Sequence, residues 1–104
     1  MQEALERIRR SLKLRQLDAI LVTQPENRRY LSGYTARDHA INESAGVLLI
    51  PCAGEPYLLT DSRFHLQAEQ EAKGFRVKLY PRGLFPLLRL LLKRLRVKRL
   101  AFES

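Results

Sequence analysis

The feature that most constrains the fold is a short apolar run followed by a helix start signal and a helix stop signal. The run is Ala19-Ile20-Leu21-Val22, whose aliphatic and β-branched side chains are typical of a buried parallel strand. Pro25 stands where a first helical residue is expected, and Gly33 stands where a helix ends. A strand that leads into a helix of one or two turns indicates an α/β domain.

The chain becomes polar after this predicted helix. Its polar side chains between Gly33 and Gly46 include Thr35, Arg37, Asp38, His39, Asn42, Glu43 and Ser44. A polar loop at this point of an open α/β sheet lies at the carboxyl edge, where functional side chains collect. We therefore look for function in residues 33–46, and an ordinary solvated loop is the alternative.

The remaining pattern alternates helices and strands. Leu5, Ile8 and Leu12 recur at helical spacing, which predicts an amphipathic helix over residues 2–15. The predicted strands and helices after it are strand 17–23, the short helix, strand 45–51, strand 56–60, a helix from Asp61 or Ser62 to Ala72, strand 75–80, a helix from Pro86, and a strand from Arg99. Strands 45–51 and 56–60 form a hairpin around Gly54. A hairpin within an alternating pattern implies an α/β fold with a mixed sheet and helices on both faces.

The last predicted helix carries more leucine than one stripe needs. Pro86 is its predicted first residue, because the residue before a proline is biased away from helix. Leu87, Leu88, Leu91 and Leu95 form the stripe, whereas Leu90 and Leu92 do not fit it. Leucines on a second face predict a helix covered from two sides. The predicted strand that follows is cut short at Ser104, which suggests that partner segments are missing.

The bulk properties fit one cytoplasmic domain over residues 1–104. A chain of 104 residues can bury one core. Cys52 is the single cysteine, which excludes an internal disulfide and favours a packing role over a nucleophilic one. No signal peptide and no apolar run of membrane-spanning length is present.

The net charge of +8 is concentrated in the last third of the chain. Residues 73–104 carry ten Lys or Arg and one acid, whereas residues 1–72 carry nine Lys or Arg and ten acids. Such asymmetry can indicate a nucleic-acid or membrane surface, or a neighbouring segment that supplies the compensating acids. No aromatic residue lies among the basic residues between Arg89 and Arg99. We therefore expect no nucleic-acid partner and no membrane partner.

Catalytic motifs are absent from the sequence. It contains no glycine-rich phosphate loop, no cysteine pair for zinc, no His-Glu-x-x-His and no Gly-x-Ser-x-Gly. His39 and His65 fall in different elements, so a metal site would need both of them and a third ligand. Asp38 and His39, with Arg37 beside them, can instead contact a substrate or a neighbouring subunit.

Four stretches in order carry a family resemblance. They are Asp18-Ala19-x-Leu21-Val22-Thr23-x-Pro25-Glu26-Asn27-Arg28-Arg29-Tyr30-Leu31-Ser32-Gly33-Tyr34-Thr35, then Ser44-Ala45-Gly46-x-Leu48-Leu49-Ile50, then Gly54-Glu55-Pro56-x-Leu58-Leu59-Thr60-Asp61-x-Arg63-Phe64, and Gln67-Ala68-x-x-Glu71-Ala72-x-Gly74-Phe75. Together they resemble the N-terminal domain of the Xaa-Pro aminopeptidase and Xaa-Pro dipeptidase (prolidase) family, which is related to creatinase. The resemblance runs from Leu17 to Phe102 and implies a ribonuclease-H-like, three-layer α/β/α fold with a mixed sheet of five to six strands.

The resemblance also implies a divided role. In this family, catalysis belongs to a C-terminal pita-bread domain that binds two divalent metals, often manganese, cobalt or zinc, through two Asp, one His and two Glu. That domain is absent from this sequence, so the resemblance assigns no catalytic residue, no metal ligand and no cofactor here, and it implies an inactive fragment. The implied partners are the chain's own catalytic domain, a second subunit in a homo-dimer or larger oligomer, and proline-containing peptides.

By position, the resemblance nominates Arg37, Asp38 and His39 as substrate-access or subunit-contact residues. Structural roles are expected elsewhere: Asn27 in local backbone bonds beside the short helix, and Arg63 in a pair with Asp61 or across the sheet edge. Tyr30 and Tyr34 are expected to pack with solvated hydroxyls. The alternative function is a non-catalytic protein- or peptide-binding module of the same fold.

Overall fold

A computed structural model describes residues 2–37 and 45–103. Its helices are α1 (Gln2–Leu14), α2 (Pro25–Ser32), α3 (His65–Glu71) and α4 (Leu84–Arg94). Its strands are β1 (Ala19–Val22), β2 (Val47–Pro51), β3 (Tyr57–Thr60), β4 (Arg76–Leu79) and β5 (Leu100–Glu103), and a 3-10 turn at Ser62–Phe64 precedes α3. The alternation of helices and strands predicted from the sequence is confirmed.

The five strands form one mixed sheet in the order β4-β3-β2-β1-β5. β2 is antiparallel to both of its neighbours, whereas β1 pairs with β5, and β3 with β4, in parallel. The predicted hairpin is therefore β2–β3. β1, β3, β4 and β5 all end at one edge of the sheet, and β2 begins there; we call this the carboxyl edge.

Helices cover both faces of the sheet, so the fold has three layers. Strand residues alternate between the two faces, as the pleat requires. Leu48 and Leu58 pack on the face beneath α1, α2 and α3, which we call the three-helix face. Leu49 and Leu59 pack on the opposite face against Leu91 and the other leucines of α4, which we call the α4 face.

The α4 helix starts two residues earlier than the sequence predicted. It begins at Leu84, so Pro86 is its third residue rather than its first. The first four N–H groups of a helix have no partner within it, and proline is therefore tolerated there. Gly83 precedes the helix with a φ of 92°, a conformation that glycine adopts without strain.

The prediction that the leucines on a second face of α4 are covered was only half correct. Leu92 packs against the α4-face core together with the predicted stripe. Leu90 is 48% exposed, and Phe85 is 71% exposed. Within the described ranges, nothing covers this side of the helix.

Asp18 fixes the position of the last strand beside the first. Its carboxylate accepts hydrogen bonds from the backbone N–H groups of Lys98 (2.8 Å) and Arg99 (2.9 Å). These two bonds lower the pKa of Asp18, with Arg99 contributing most. A carboxylate at the start of β1 therefore sets the turn that leads into β5.

Candidate functional site

The loop predicted to be functional leaves and re-enters the fold at the carboxyl edge. α2 ends at Ser32, and the φ of 81° at the following residue, Gly33, gives the left-handed C-cap expected of a glycine there. Residues 34–36 lead into the loop, and residues 45–46 lead out of it into β2. We call these two segments the loop stems, and their contacts determine where residues 37–44 begin and end.

Arg28 joins the two stems from inside the core. It lies on α2 and is only 1% exposed. One terminal nitrogen donates to the carbonyl of Gly46 (2.7 Å) and the other to the carbonyl of Ala36 (2.8 Å). The guanidinium also lies 5.5 Å from the centre of the Tyr34 ring, within cation–π distance. A rigid two-pronged donor thus fixes the separation of the two stems.

Tyr34 and Thr60 hold the second stem at a common acceptor. The Tyr34 hydroxyl donates to the carbonyl of Ala45 (2.9 Å), and the Thr60 hydroxyl donates to the same oxygen (2.7 Å). Both side chains are fully buried. Burial raises the pKa of Tyr34, which keeps its hydroxyl protonated and able to donate. The expectation of a solvated hydroxyl was wrong for Tyr34, because the loop stem supplies a buried acceptor.

A surface network holds the first stem against α3. The carboxylate of Glu71 accepts from the backbone N–H of Thr35 (2.8 Å) and from its hydroxyl (2.9 Å). Gln67 donates to both Thr35 and Glu71 at 3.2 Å. The backbone bond from Thr35 is the main reason why the pKa of Glu71 is lowered. Helices α2 and α3 therefore both contribute to the position of this stem.

The three nominated residues fall at the start of the loop. Arg37 directly follows the first stem and is exposed. Asp38 and His39 lie outside the described residues, so the geometry of the Arg37, Asp38 and His39 group stays a prediction. The described part of the site is the set of stem contacts that hold this loop.

The structural roles assigned from sequence were partly right. Arg63 pairs with Asp61 at 2.8 Å, as predicted, and this hydrogen bond is the main cause of the lowered pKa of Asp61. The bonds of Asn27 are not only local, as was predicted, because its side-chain amide also donates to the side chain of Glu103 on β5 (2.7 Å). Tyr30 is 64% exposed and packs less than expected.

Sequence reasoning overlooked Arg28, although a signal was present. The buried residues of α2 are Arg28, Leu31 and Ser32, which follow the i, i+3, i+4 spacing of one helical face. An arginine at the first of these positions is placed toward the core. Because Arg28 is charged, a search for apolar residues at helical spacing does not count it.

The described residues do not fit a metal site. In residues 2–37 and 45–103, no three His, Cys, Asp or Glu side chains come together as ligands for a metal ion. His65 instead faces Glu69 one turn along α3, at 3.4 Å. In the same ranges no helix has the length and apolar character to cross a bilayer.

A cavity formed by described residues lies away from the loop stems. It has a volume of about 480 Å³, lies between α1 and the two turns that precede β3 and β4, and is lined by Arg9, Gly54 and Phe75 among others. These turns are at the edge of the sheet opposite the carboxyl edge.

Comparison with known proteins assigns the fold to a family. The family model described as "Creatinase/Prolidase N-terminal domain" matches residues 5–104. A search of curated protein sequences gave no match.

Solved structures give the same result. The Xaa-Pro dipeptidase from Bacillus anthracis is similar with a TM-score of 0.85 and 28% identity, over 98% of this chain and 26% of that one. The N-terminal domain of cytoplasmic peptidase PepQ from Mycobacterium tuberculosis H37Rv has a TM-score of 0.79 and 28% identity, over 96% and 72% of the two chains. The X-Pro aminopeptidase from Thermotoga maritima MSB8 has a TM-score of 0.78 and 27% identity, over 95% and 26%.

The chain spans about a quarter of the Bacillus anthracis and Thermotoga maritima chains. The family model, in contrast, covers nearly all of this chain, and the mixed five-stranded sheet agrees with it. This chain therefore belongs to the Creatinase/Prolidase N-terminal domain family.

Proposed function

We propose that this chain is the non-catalytic N-terminal domain of a cytoplasmic Xaa-Pro peptidase, of the aminopeptidase P or prolidase type. The parent protein would hydrolyse peptide bonds that precede proline. The domain would serve subunit assembly and form one wall of the active-site entrance. Similarity to proteins named Xaa-Pro dipeptidase and X-Pro aminopeptidase supports this assignment, as does the PepQ relative named a cytoplasmic peptidase.

The observation that carries the proposal is the fixation of the loop stems. Arg28 bonds to both stems, and Tyr34 and Thr60 add two buried hydrogen bonds at Ala45. Buried hydrogen bonds of this kind favour one arrangement over others. Such stems would anchor the ends of the loop at the carboxyl edge, and the proposal assigns Arg37, Asp38 and His39 of that loop to a wall of the active-site entrance.

The chemistry of the parent protein is assigned to a separate catalytic domain. Two divalent metal ions, Mn, Co or Zn, would bind there through two Asp, one His and two Glu. The described residues of this chain provide no matching ligand group, so no catalytic step is assigned to them. The proposed partners of this chain are its catalytic domain, a second subunit and proline-containing peptides.

The first experiment measures hydrolysis of an Xaa-Pro dipeptide and an Xaa-Pro tripeptide by the purified 104-residue chain. We expect no turnover with Mn²⁺, Co²⁺ or Zn²⁺ added. Turnover by this chain would overturn the non-catalytic assignment. Reading the parent gene for the set of two Asp, one His and two Glu separates the alternatives, because absence of that set would favour a binding module of the same fold.

The role of the loop is tested in the full-length parent protein. Arg37→Ala, Asp38→Ala and His39→Ala are each expected to raise KM for an Xaa-Pro substrate several-fold with a smaller change in kcat, since they would contact substrate rather than metal. Arg10→Ala, an exposed change on α1, is the control. Unchanged KM and unchanged oligomeric state in all three loop variants would remove the loop from the proposal.

A further inference from the structure

The side of α4 that faces away from the sheet has an unusual composition. Every residue on it is either apolar or basic, and every one is exposed. We call this set the α4 outer face: Phe85, Pro86, Arg89, Leu90, Lys93 and Arg94. It contains no acid, and its residues lie on two adjacent ridges at i, i+4, i+8 spacing.

The basic residues of the α4 outer face have no side-chain partner among the residues that the structure describes. Across residues 2–37 and 45–103, no hydrogen bond or ion pair from the side chains of Arg89, Lys93 or Arg94 is formed. An Asp or Glu one turn away on the same helix could form an ion pair with these residues. Residues 73–102, however, contain no acid at all. The positive charge of this face is therefore uncompensated within the described fold.

The apolar residues of the same face point to the kind of partner. Leu90, 48% exposed, is flanked by Arg89 on one ridge and by Arg94 on its own ridge. Phe85 adds a phenyl ring that is 71% exposed. An apolar centre with charged residues around it is the layout of a protein–protein contact, in which the apolar residues supply affinity and the charges supply orientation.

Three other occupants fit this face less well. A second copy of the same face would bring Arg89, Lys93 and Arg94 of both chains together, and like charges in contact oppose association. The phosphates of a nucleic acid would pair with the three basic side chains. Leu90 would then lie beside phosphate and water without an apolar contact, since phosphate contacts come from basic and polar groups. A membrane surface would use the apolar residues of a basic helix, but most of the leucines of α4 are already packed on the sheet.

We infer that the α4 outer face binds an acidic polypeptide surface that has an apolar recess for Leu90 and Phe85. Carboxylates of the partner would pair with Arg89, Lys93 and Arg94 around that recess. Arginine suits this role because its planar guanidinium bonds a carboxylate with two parallel hydrogen bonds. The inference is independent of the proposed function, because it depends only on the composition and exposure of α4.

The test uses the 104-residue chain and a designed helical peptide of about 15 residues, with Glu and Leu on one face. Binding is measured by fluorescence anisotropy, and the contact surface is mapped by backbone NMR shifts. A scrambled peptide of equal composition, a thymidine oligonucleotide and vesicles of phosphatidylcholine with phosphatidylserine are measured in parallel. We expect the patterned peptide to bind most tightly, with shifts concentrated in residues 84–95.

Two variants and one matched control make the test specific. Arg89→Glu/Arg94→Glu should weaken peptide binding at least about tenfold, because it puts carboxylate against carboxylate. Leu90→Ser should weaken binding about tenfold and should do so in high salt as well, because its contribution is apolar. Arg10→Glu/Arg15→Glu changes the net charge by the same amount at two exposed positions, one on α1 and one in the turn after it, and should weaken binding less than threefold.

Several results would overturn the inference. One is tighter binding of the oligonucleotide or the vesicles than of the patterned peptide. Another is an equal loss of affinity in the α1 control, which would show that only net charge matters. Absence of peptide binding, or a Leu90→Ser variant with unchanged affinity, would also refute the proposed contact.

Discussion

The two faces of the sheet are stabilised in different ways. In the described ranges all three buried polar or charged residues, Arg28, Ser32 and Thr60, lie on the three-helix face near the carboxyl edge. The core of the α4 face is built from Ala, Leu and Val, with Tyr57 and Tyr80 at its margin. Apolar packing is non-directional, whereas hydrogen bonds fix the positions of particular atoms. The α4 face therefore supplies stability, and the three-helix face also fixes the positions of the two loop stems.

The largest expected difference between the two faces appears when methionine replaces Arg28 or Leu91. Methionine at position 28 keeps an apolar stem but removes two buried, charge-assisted hydrogen bonds, so we expect a loss of about 3 kcal/mol in the free energy of unfolding. Leu91→Met nearly conserves volume and should cost less than about 1.5 kcal/mol. Urea denaturation measures both values.

The neighbouring Arg29→Met is the control for Arg28→Met, because Arg29 is exposed on the same helix. Its cost should stay within about 0.5 kcal/mol. Equal costs for Arg28→Met and Leu91→Met would remove the contrast between the two faces.

The second prediction concerns the stem residue Gly46. A Cβ added there would lie 2.9 Å from the backbone carbonyl oxygen of Leu59, and the residue has a φ of 152°. Gly46→Ala should therefore cost about 2 kcal/mol or more, through both steric overlap and backbone strain. Gly54→Ala meets no atom within 4 Å, so it carries backbone strain alone and should cost about 1 kcal/mol. Thermal unfolding of both variants decides whether the stem is as closely packed as described.

A smaller effect is expected at the shared acceptor of the second stem. Tyr34→Phe and Thr60→Val each remove one hydroxyl that bonds to Ala45, and each should cost about 1 kcal/mol. Because one donor remains in each single variant, the double variant should cost more than the sum of the two. Tyr30→Phe, on an exposed ring, serves as the control. Strictly additive costs would mean that the two hydroxyls do not act on a common acceptor.

The smallest effect is the pH dependence of the Glu71 contact. The pKa of Glu71 is lowered in the folded chain, chiefly by the backbone N–H of Thr35. A lowered folded pKa means that the contribution is complete above the ordinary carboxyl pKa of about 4.3 and is lost as pH falls through the folded value. Glu71→Gln should therefore flatten the fall in stability on the acid side, as measured by unfolding at a series of pH values. Glu26→Gln, on an exposed helix start, is the matched single-charge control.

Most of the fold could be predicted from the sequence because its signals are local. Pro25 and Gly33 bracket α2, and the hairpin around Gly54 is confirmed. The apolar runs that became β1 and β2 occupy the middle of the sheet, where continuous apolar strands belong. The predicted first residue of α4 was wrong because proline is allowed at several positions of a first helical turn. The sequence alone does not choose among these positions.

The site was less predictable because its bonds join distant segments. The expectation for Asn27 was local, but its partner Glu103 is 76 residues away. Nothing in the sequence distinguishes Tyr34 from a tyrosine whose hydroxyl is solvated. Its hydroxyl is a buried donor only because the second stem places the carbonyl of Ala45 within hydrogen-bond distance. The burial of Arg28 could have been read from helical spacing, whereas its two carbonyl partners could not.

The parallel pairing of β1 with β5 has a consequence for synthesis of the protein. Thr23 donates its backbone N–H and its hydroxyl to Glu103, a residue 80 positions later. At translation rates of about 5–20 residues per second, a ribosome needs roughly 4–16 s to supply that partner after β1 has been made. During this time β1 has at most one neighbouring strand, so the nascent chain would expose a sheet edge that chaperones or stray strands can bind.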